Sequence, residues 1–391
     1  MEANRLPDIP DAEARAEQVA HTLNEFLPGD YQQAVYEESL RETRARSRTG
    51  LQRKILLIGG AGYIGTIVTR HLLDRGYLVK CVDNFIYGHS FTVLPFLTDT
   101  RYEFARLDIR NTPEVLAECS DCTDIVILAG LVGDPITKKY PEAAEQINLQ
   151  AMTDLIDGLK TQTQLNKVIF VSTCSNYGLI QSDELASETH ELNPLSLYAK
   201  AKVAIEQKLL GVEDTVGFSP TTLRFATAFG YSPRMRFDLT VSEFTRDLYL
   251  GRELVVYDAD TWRPYCHVDD FSELIRRVLE APVDLVRQGT FNAGSDKNNF
   301  TKRMIVEAVL ERVPDGQVKY LDKGSDPRNY RVDFEKVRRQ LHFDAARTVA
   351  DGVDELIDIL SLGFFDFDDG APANWWGNYS LENAPGESDY S

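Results

Sequence analysis

Tyr198 and Lys202 stand four residues apart, a spacing that puts a phenol and an ammonium on one helical face. A positive charge beside a phenol favours the phenolate, and the charge of an oxidised nicotinamide ring would lower its pKa further from about 10. Such a tyrosine can act as general base near neutral pH. An earlier apolar run, Val168-Ile169-Phe170-Val171, delivers Ser172-Thr173-Cys174-Ser175-Asn176 at its carboxyl end. Thr173 can hold the hydroxyl that the phenolate deprotonates, and Lys202 can also bind a ribose. A Tyr-x-x-x-Lys pair alone is common on helix surfaces, so its meaning depends on what else the chain supplies.

What else it supplies is a glycine-rich turn. The run Ile55-Leu56-Leu57-Ile58 breaks at Gly59, Gly62 and Gly65, with Tyr63 and Ile64 between the last two, and resumes as an apolar helix pattern from Thr66. This reads as a buried parallel strand, a tight turn and the first turns of a helix, where backbone N–H groups and the helix dipole favour a pyrophosphate. A second strand, Tyr77 to Val82, ends in Asp83 at the spacing where a carboxylate accepts hydrogen bonds from an adenosine ribose. The pair predicts a dinucleotide site, and Asp83 would repel a 2′-phosphate, which favours NAD over NADP.

The elements that must position these groups follow a βαβ rhythm. Strands are expected at Lys54–Ile58, Leu78–Val82, Tyr102–Leu107, Ile125–Leu128, Lys167–Ser172 and Thr221–Phe225, alternating with helices. This predicts an α/β chain: a Rossmann-type doubly wound parallel sheet over residues 51–230, with returns near 267–295 (His267–Glu280 and Thr290–Ser295). Ser232–Leu250, Trp262–His267 and Lys319–Val332 belong to a smaller C-terminal substrate-binding lobe within 231–363. Residues 1–50 form an N-terminal helical extension, in which Val19, Leu23, Phe26 and Leu27 share a face and Tyr31 to Arg48 continue as a second helix. Residues 364–391 form a tail with six acidic and no basic residues, interleaved with Trp375, Trp376 and Tyr379.

With 42 Lys and Arg against 61 Asp and Glu, the net charge is −19, which argues against nucleic-acid binding. An anionic substrate must then be held by a few placed arginines. No apolar run approaches the roughly 20 residues of a membrane span, and the first 50 residues lack a signal-peptide core. A cytoplasmic protein is expected, with no membrane partner. Five cysteines do not suggest a disulfide framework, and the Cys119-x-x-Cys122 pair lacks a second Cys or His cluster, so no metal is expected.

Several separated motifs, in order, resemble the extended short-chain dehydrogenase/reductases of the NAD-dependent nucleotide-sugar epimerase/dehydratase family. They span Lys54 to Phe343: the three glycines, Asp83-Asn84, Asp108-Ile109-Arg110-Asn111, Leu128-Ala129-Gly130, Asn148, Thr173, Tyr198 with Lys202, Arg263-Pro264-Tyr265-Cys266-His267-Val268, and Asp326-Pro327-Arg328-Asn329-Tyr330. The resemblance implies NAD as cofactor and a nucleotide-diphosphate sugar as substrate. It places Asp83 and Asn84 at the adenosine, Asp108 and Ile109 against adenine, and Leu128, Ala129, Gly130 and Asn148 on the nicotinamide side. Arg263 and Arg328 are implied to grip the substrate diphosphate, which suits the geometry of arginine forks. Val256 and Tyr257 fall where relatives hold the nucleobase. Relatives often pair through the helix of Tyr198 and the one after Asn148, so a homodimer is expected.

Members of this family open by moving a proton from the sugar O4 to the tyrosine as C4 gives up hydride. Dehydratases carry an Asp-Glu pair after the threonine, and decarboxylases a Glu where Ser175 stands; Cys174 and Ser175 supply neither. The economical outcome is re-reduction on the opposite face, a 4-epimerisation. A 4-ketoreductase, which would consume reduced cofactor, is the alternative, and a non-catalytic NAD-binding regulator a remote one. Glucose/galactose epimerases commonly have Asn where Thr227 stands. Thr227 followed by Ser232-Pro233-Arg234-Met235-Arg236-Phe237-Asp238 is similar to hexuronate-type epimerases. Arg234 or Arg236 could meet a sugar carboxylate, with a diphosphate or a structural role equally open.

Overall fold

The computed structural model describes residues 53–180, 184–213, 215–322, 328–365 and 375–381. The expected extension over residues 1–50 lies outside them, as do Asp326, Pro327 and much of the acidic tail. The strands β1 (Lys54–Ile58), β2 (Leu78–Asp83), β3 (Tyr102–Arg106), β4 (Asp124–Ile127) and β5 (Lys167–Thr173) alternate with helices. β1 and β4 are buried at every position, as a parallel sheet covered on both faces requires. A two-residue strand β6 (Leu185–Ala186) precedes β7 (Ser219–Phe225), and β8 (Thr227–Phe229) follows at once. Then come β9 (Leu254–Tyr257), β10 (Trp262–His267), β11 (Gly289–Ala293), β12 (Asn299–Thr301), β13 (Val318–Leu321) and β14 (Arg331–Val332).

Seven strands form the central sheet in the order β11-β7-β5-β4-β1-β2-β3, and every pairing is parallel. The order reverses at β1, with β2 on one side and β4 on the other. In such sheets ligands bind at the carboxyl ends of the strands flanking this reversal. This is the Rossmann-type doubly wound fold the sequence predicts, and β11 is the expected late return. Residues 267–280 were expected to return with it. They do so as the helix Val268–Glu280, whose Phe271, Leu274, Ile275 and Val278 recur with a helical period and pack in one core with Ile55, Leu57 and Ile169 of the sheet.

The smaller lobe is built from short sheets. β10 pairs with β8 in parallel and with β12 antiparallel, while β9 pairs with β13 and β6 with β14. Its apolar core draws in the first helix of the main sheet. Tyr63 and Ile67 of the helix Tyr63–Asp74 pack with Phe229, Met235, Val241, Val353 and Leu356. Each fully buried side chain of this kind contributes about 1.5–3 kcal/mol relative to exposure, so the glycine turn is held from both lobes. No helix among the described residues is long and apolar enough to cross a membrane.

Candidate active site

One cavity of about 610 Å³ opens at the carboxyl ends of the sheet strands. Gly59 follows β1 with φ +86, a conformation costly for other residues, and its N–H donates to Val82 O at 2.8 Å. A Cβ on Gly59 would come within 2.6 Å of the Ala129 backbone, and one on Gly65 within 2.6 Å of Gly59 O. The turn is therefore glycine because two strand ends and a helix meet there. Gly62 caps the helix Tyr63–Asp74 without a side-chain acceptor, and Gly62, Tyr63, Ile64 and Gly65 all line the cavity. First-turn N–H groups thus face a space that fits the pyrophosphate of NAD.

Asp83 closes the far end. Its Oδ2 accepts from Ala61 N at 3.0 Å and its Oδ1 from Phe85 N at 2.8 Å. Burial raises its pKa, opposed by these N–H groups and by Arg234. Asn84 Nδ2 donates to Asp108 Oδ2 at 2.8 Å, and Arg110 also pairs with Asp108, so these side chains are held as a unit. Ile109, Leu128, Ala129 and Gly130 line the wall of the same cavity. Asn148 does not. Its amide accepts from Leu131 N at 2.7 Å and donates to Leu131 O at 2.9 Å, so it clips the loop after β4, and Ile147 takes the place at the wall.

Thr173, Tyr198 and Lys202 all reach the same cavity. Thr173 ends β5, and its Oγ1 accepts from Ser175 N at 3.1 Å, fixing the turn of the chain beyond the sheet. Ser196 caps the helix Leu197–Leu210 by accepting from Ala199 N, which starts the helix one turn before Lys202. Lys202 Nζ donates to Val171 O at 2.7 Å and lies 5.9 Å from the Tyr198 ring centre. Burial lowers the Lys202 pKa to about 8, with Glu206 opposing. The sequence reading expected the phenol pKa to fall. In this structure burial is the larger effect and raises it, and the guanidinium groups of Arg236 and Arg328 work against that rise.

The cationic side of the cavity is furnished by the smaller lobe. Arg328 sits 3.2 Å from Asp134 and within 3.4 Å of Ser175 Oγ, and Arg263 lies over the Tyr330 ring at 5.1 Å. Arg236 grips Asp238 through Nε at 3.0 Å and Nη2 at 2.6 Å, and Arg234 lies over the Tyr87 ring at 4.6 Å. All four line the cavity together with Thr227. The expected nucleobase residues do not reach its wall. The side chain of Val256 is buried in the core of the smaller lobe, and Tyr257, 47% exposed, lies outside the cavity because alternate residues of β9 face opposite ways.

Several groups at the site were not read from the sequence. Glu206, four residues after Lys202, pairs with Arg224 of β7 at 2.7 Å and also receives Ser172 Oγ and Asn176 Nδ2. Its spacing from Lys202 was the available signal. The tail contributes too: Trp375 and Trp376 pack at a tilt against the His89 ring, and Asn378 and Tyr379 line the cavity. Cys119 and Cys122 are buried, and their thiols donate to the carbonyls of Val115 and Glu118. His267, Asp269 and Glu355 lie close together, but both ring nitrogens are engaged, Nε2 with Glu355 at 2.9 Å and Nδ1 with Asp269 N at 3.2 Å. This arrangement caps one helix and braces it to another.

Residues 55–294 match the model of a family described as the NAD dependent epimerase/dehydratase family. In Bacillus subtilis (strain 168), the protein named "Uncharacterized UDP-glucose epimerase YtcB" is 27% identical over 321 residues, covering 79% of this chain and 98% of that protein. Among solved structures, UDP-glucuronic acid 4-epimerase from Bacillus cereus, in complex with UDP-glucuronic acid and NAD, superposes with TM-score 0.72 at 22% identity. It covers 80% of this chain and 100% of its own. The dTDP-glucose 4,6-dehydratase of Bacillus anthracis str. Ames gives 0.70 at 21% identity, over 79% of this chain and 97% of its own. At these identities the structural likeness speaks for the fold, which epimerases and dehydratases share.

Proposed function

The chain belongs to the NAD dependent epimerase/dehydratase family, and from that premise we propose that it is a nucleotide-sugar 4-epimerase with NAD as its resident cofactor. The observation that carries this reading is the content of the cavity around Thr173. Tyr198 and Lys202 are present, while Cys174 and Ser175 stand where a carboxylate acid/base pair would be needed to expel water. The Cys174 thiol donates to Arg224 O at 3.0 Å, and burial holds its pKa far above neutral, so it offers no substitute.

NAD, when bound, supplies the acceptor and donor of hydride at the sugar C4. The chain's own residues handle the proton and the orientation. Tyr198 takes the proton from the C4 hydroxyl and returns it after the sugar has turned, and Thr173 holds that hydroxyl meanwhile. Arg263 and Arg328 hold the diphosphate, the fixed point about which the sugar turns. Arg236, already paired with Asp238, lines the same cavity as Thr227, and we read Arg236 as the partner of a hexuronate carboxylate. UDP-hexuronates are therefore the first substrates to try. The same reading includes a cytoplasmic homodimer joined through the helices Ala151–Leu159 and Leu197–Leu210, which sedimentation would check.

The deciding measurement incubates purified protein with UDP-, dTDP-, GDP- and CDP-sugars without added cofactor. Interconversion of C4 epimers with no net change in nicotinamide absorbance is expected. No interconversion of these sugars, with a 4-keto nucleotide sugar reduced at the cost of one equivalent of NADH per product, would establish the ketoreductase instead.

A further inference from the structure

Arg234 is built into the cavity with no direct ion-pair partner among the described residues, its guanidinium feeling Asp83 and Asp238 only at a distance. It is 2% exposed, its Nη1 has no hydrogen-bond partner among the described residues, and its Nη2 makes only a 3.4 Å bond to Gly377 O. Other cations of this wall are engaged: Arg236 with Asp238, Arg328 with Asp134, Lys202 with Val171 O. A buried guanidinium left like this is unfavourable unless an anion meets it.

The fold fixes where that anion would lie. Ser232 Oγ donates to Tyr63 O at 2.7 Å, approaches Thr66 Oγ1 at 3.0 Å and accepts from Arg234 N at 3.3 Å, while Tyr63 OH donates to Gly230 O at 2.6 Å. The backbone of Arg234 is thus pinned to the first turn of the helix Tyr63–Asp74, whose N–H groups open on the same cavity. Arg234 acts on the Asp83 carboxyl, whereas Tyr198 feels Arg236 and Arg328. It therefore serves the dinucleotide end. Burial and the neighbouring Arg236 push its own pKa down to about 10, which a bound dianion would reverse.

We propose that Arg234 is a cofactor-binding residue whose guanidinium meets the diphosphate of NAD opposite the glycine turn. The proposal rests on NAD as cofactor and is independent of which sugar is epimerised. Its test measures, by calorimetry, the binding of ADP-ribose and of UDP to the wild type, Arg234→Gln and Arg234→Lys, and the NAD that each protein retains through gel filtration. Arg234→Gln is expected to weaken ADP-ribose binding about 10- to 100-fold and to lose retained NAD, with UDP affinity within about twofold and partial recovery in Arg234→Lys. If the Gln variant does not fold, the Lys variant carries the comparison through loss of the fork. Unchanged ADP-ribose affinity overturns the proposal, whether UDP or only UDP-glucuronate binding falls instead. So does a loss confined to 2′-phospho-ADP-ribose. A wild type that retains no NAD and, freed of nucleotide, binds no ADP-ribose would strike the cofactor premise itself, a result distinct from a silent variant.

Discussion

Glu206 holds Arg224 in a two-point pair, Nη2 at 2.7 Å and Nε at 3.0 Å from one carboxylate oxygen, with both side chains nearly sealed from solvent. The pair joins the helix of Tyr198 and Lys202 to β7, and Ser172 Oγ adds the end of β5 to it. Arg224 Nη1 extends the network to Tyr177 OH at 3.2 Å, and Tyr177 OH donates to Asn292 of β11. Three strands and the helix are thereby fixed beneath the catalytic groups.

Removing one partner leaves the other charge buried and alone. Glu206→Gln is expected to lower unfolding free energy by about 3–5 kcal/mol, whereas the double change Glu206→Leu with Arg224→Met should cost clearly less. Urea unfolding of the wild type and the two variants measures this. A double variant that loses as much as Glu206→Gln or more would show that the cost is not that of an unpaired buried charge.

Tyr198→Phe deletes the proton acceptor and little else, since the ring stays buried in the cavity wall. Turnover should fall about 10²- to 10⁴-fold with NAD retention unchanged. Steady-state rates and cofactor content of the purified variant check both halves. Turnover near the wild-type rate would remove Tyr198 from the chemistry.

The parts legible in the sequence are those whose cause is local. Gly59, Gly62 and Gly65 announce the turn because backbone contact admits no side chain there, and the apolar runs of β1, β4 and β5 announce a sheet covered on both faces. What escaped depends on distant partners. β6 and β14 are two residues each and exist only by pairing with one another. Glu206 meets an arginine 18 residues away, and Trp376 reaches back to Phe91 and His89. Asn148 was placed by resemblance at the nicotinamide, and only the fold shows both ends of its amide spent on Leu131. The phenol of Tyr198 shows the same limit: spacing identifies its neighbour Lys202, while burial, a property of the folded chain, decides the direction of its pKa.

Lys202 makes stability depend on pH in a defined window. Burial sets its folded pKa at about 8, below the unfolded value of about 10.4. Below pH 8 both states carry the proton and the burial cost is present in full. Between about pH 8 and 10.4 the unfolded chain binds more protons, so stability rises with pH through that window. Relative to Lys202→Met, the wild type should gain about 2 kcal/mol between pH 7 and pH 10, read from urea unfolding at both values. A difference that stays flat, or that falls, would show that Lys202 keeps its proton in the fold.

The tail segment Trp375–Leu381 lies against the cavity wall, bonded on both sides. Trp376 O accepts from Phe237 N at 2.7 Å, while Asn378 Nδ2 donates to Val132 O at 3.2 Å and Lys139 Nζ to Tyr379 O at 2.9 Å. Asn378 and Tyr379 form part of the cavity wall. Each such bond contributes about 0.5–1.5 kcal/mol net, so together they can slow the opening of the cavity by an order of magnitude or more. Ending the chain at Gly363 should therefore speed loss of bound NAD by about tenfold or more and lower the melting midpoint by several degrees. Rapid dilution into a cofactor trap gives the rate, and calorimetry the midpoint. If NAD leaves the shortened protein no faster than the full chain, the segment covers the site without holding what is in it.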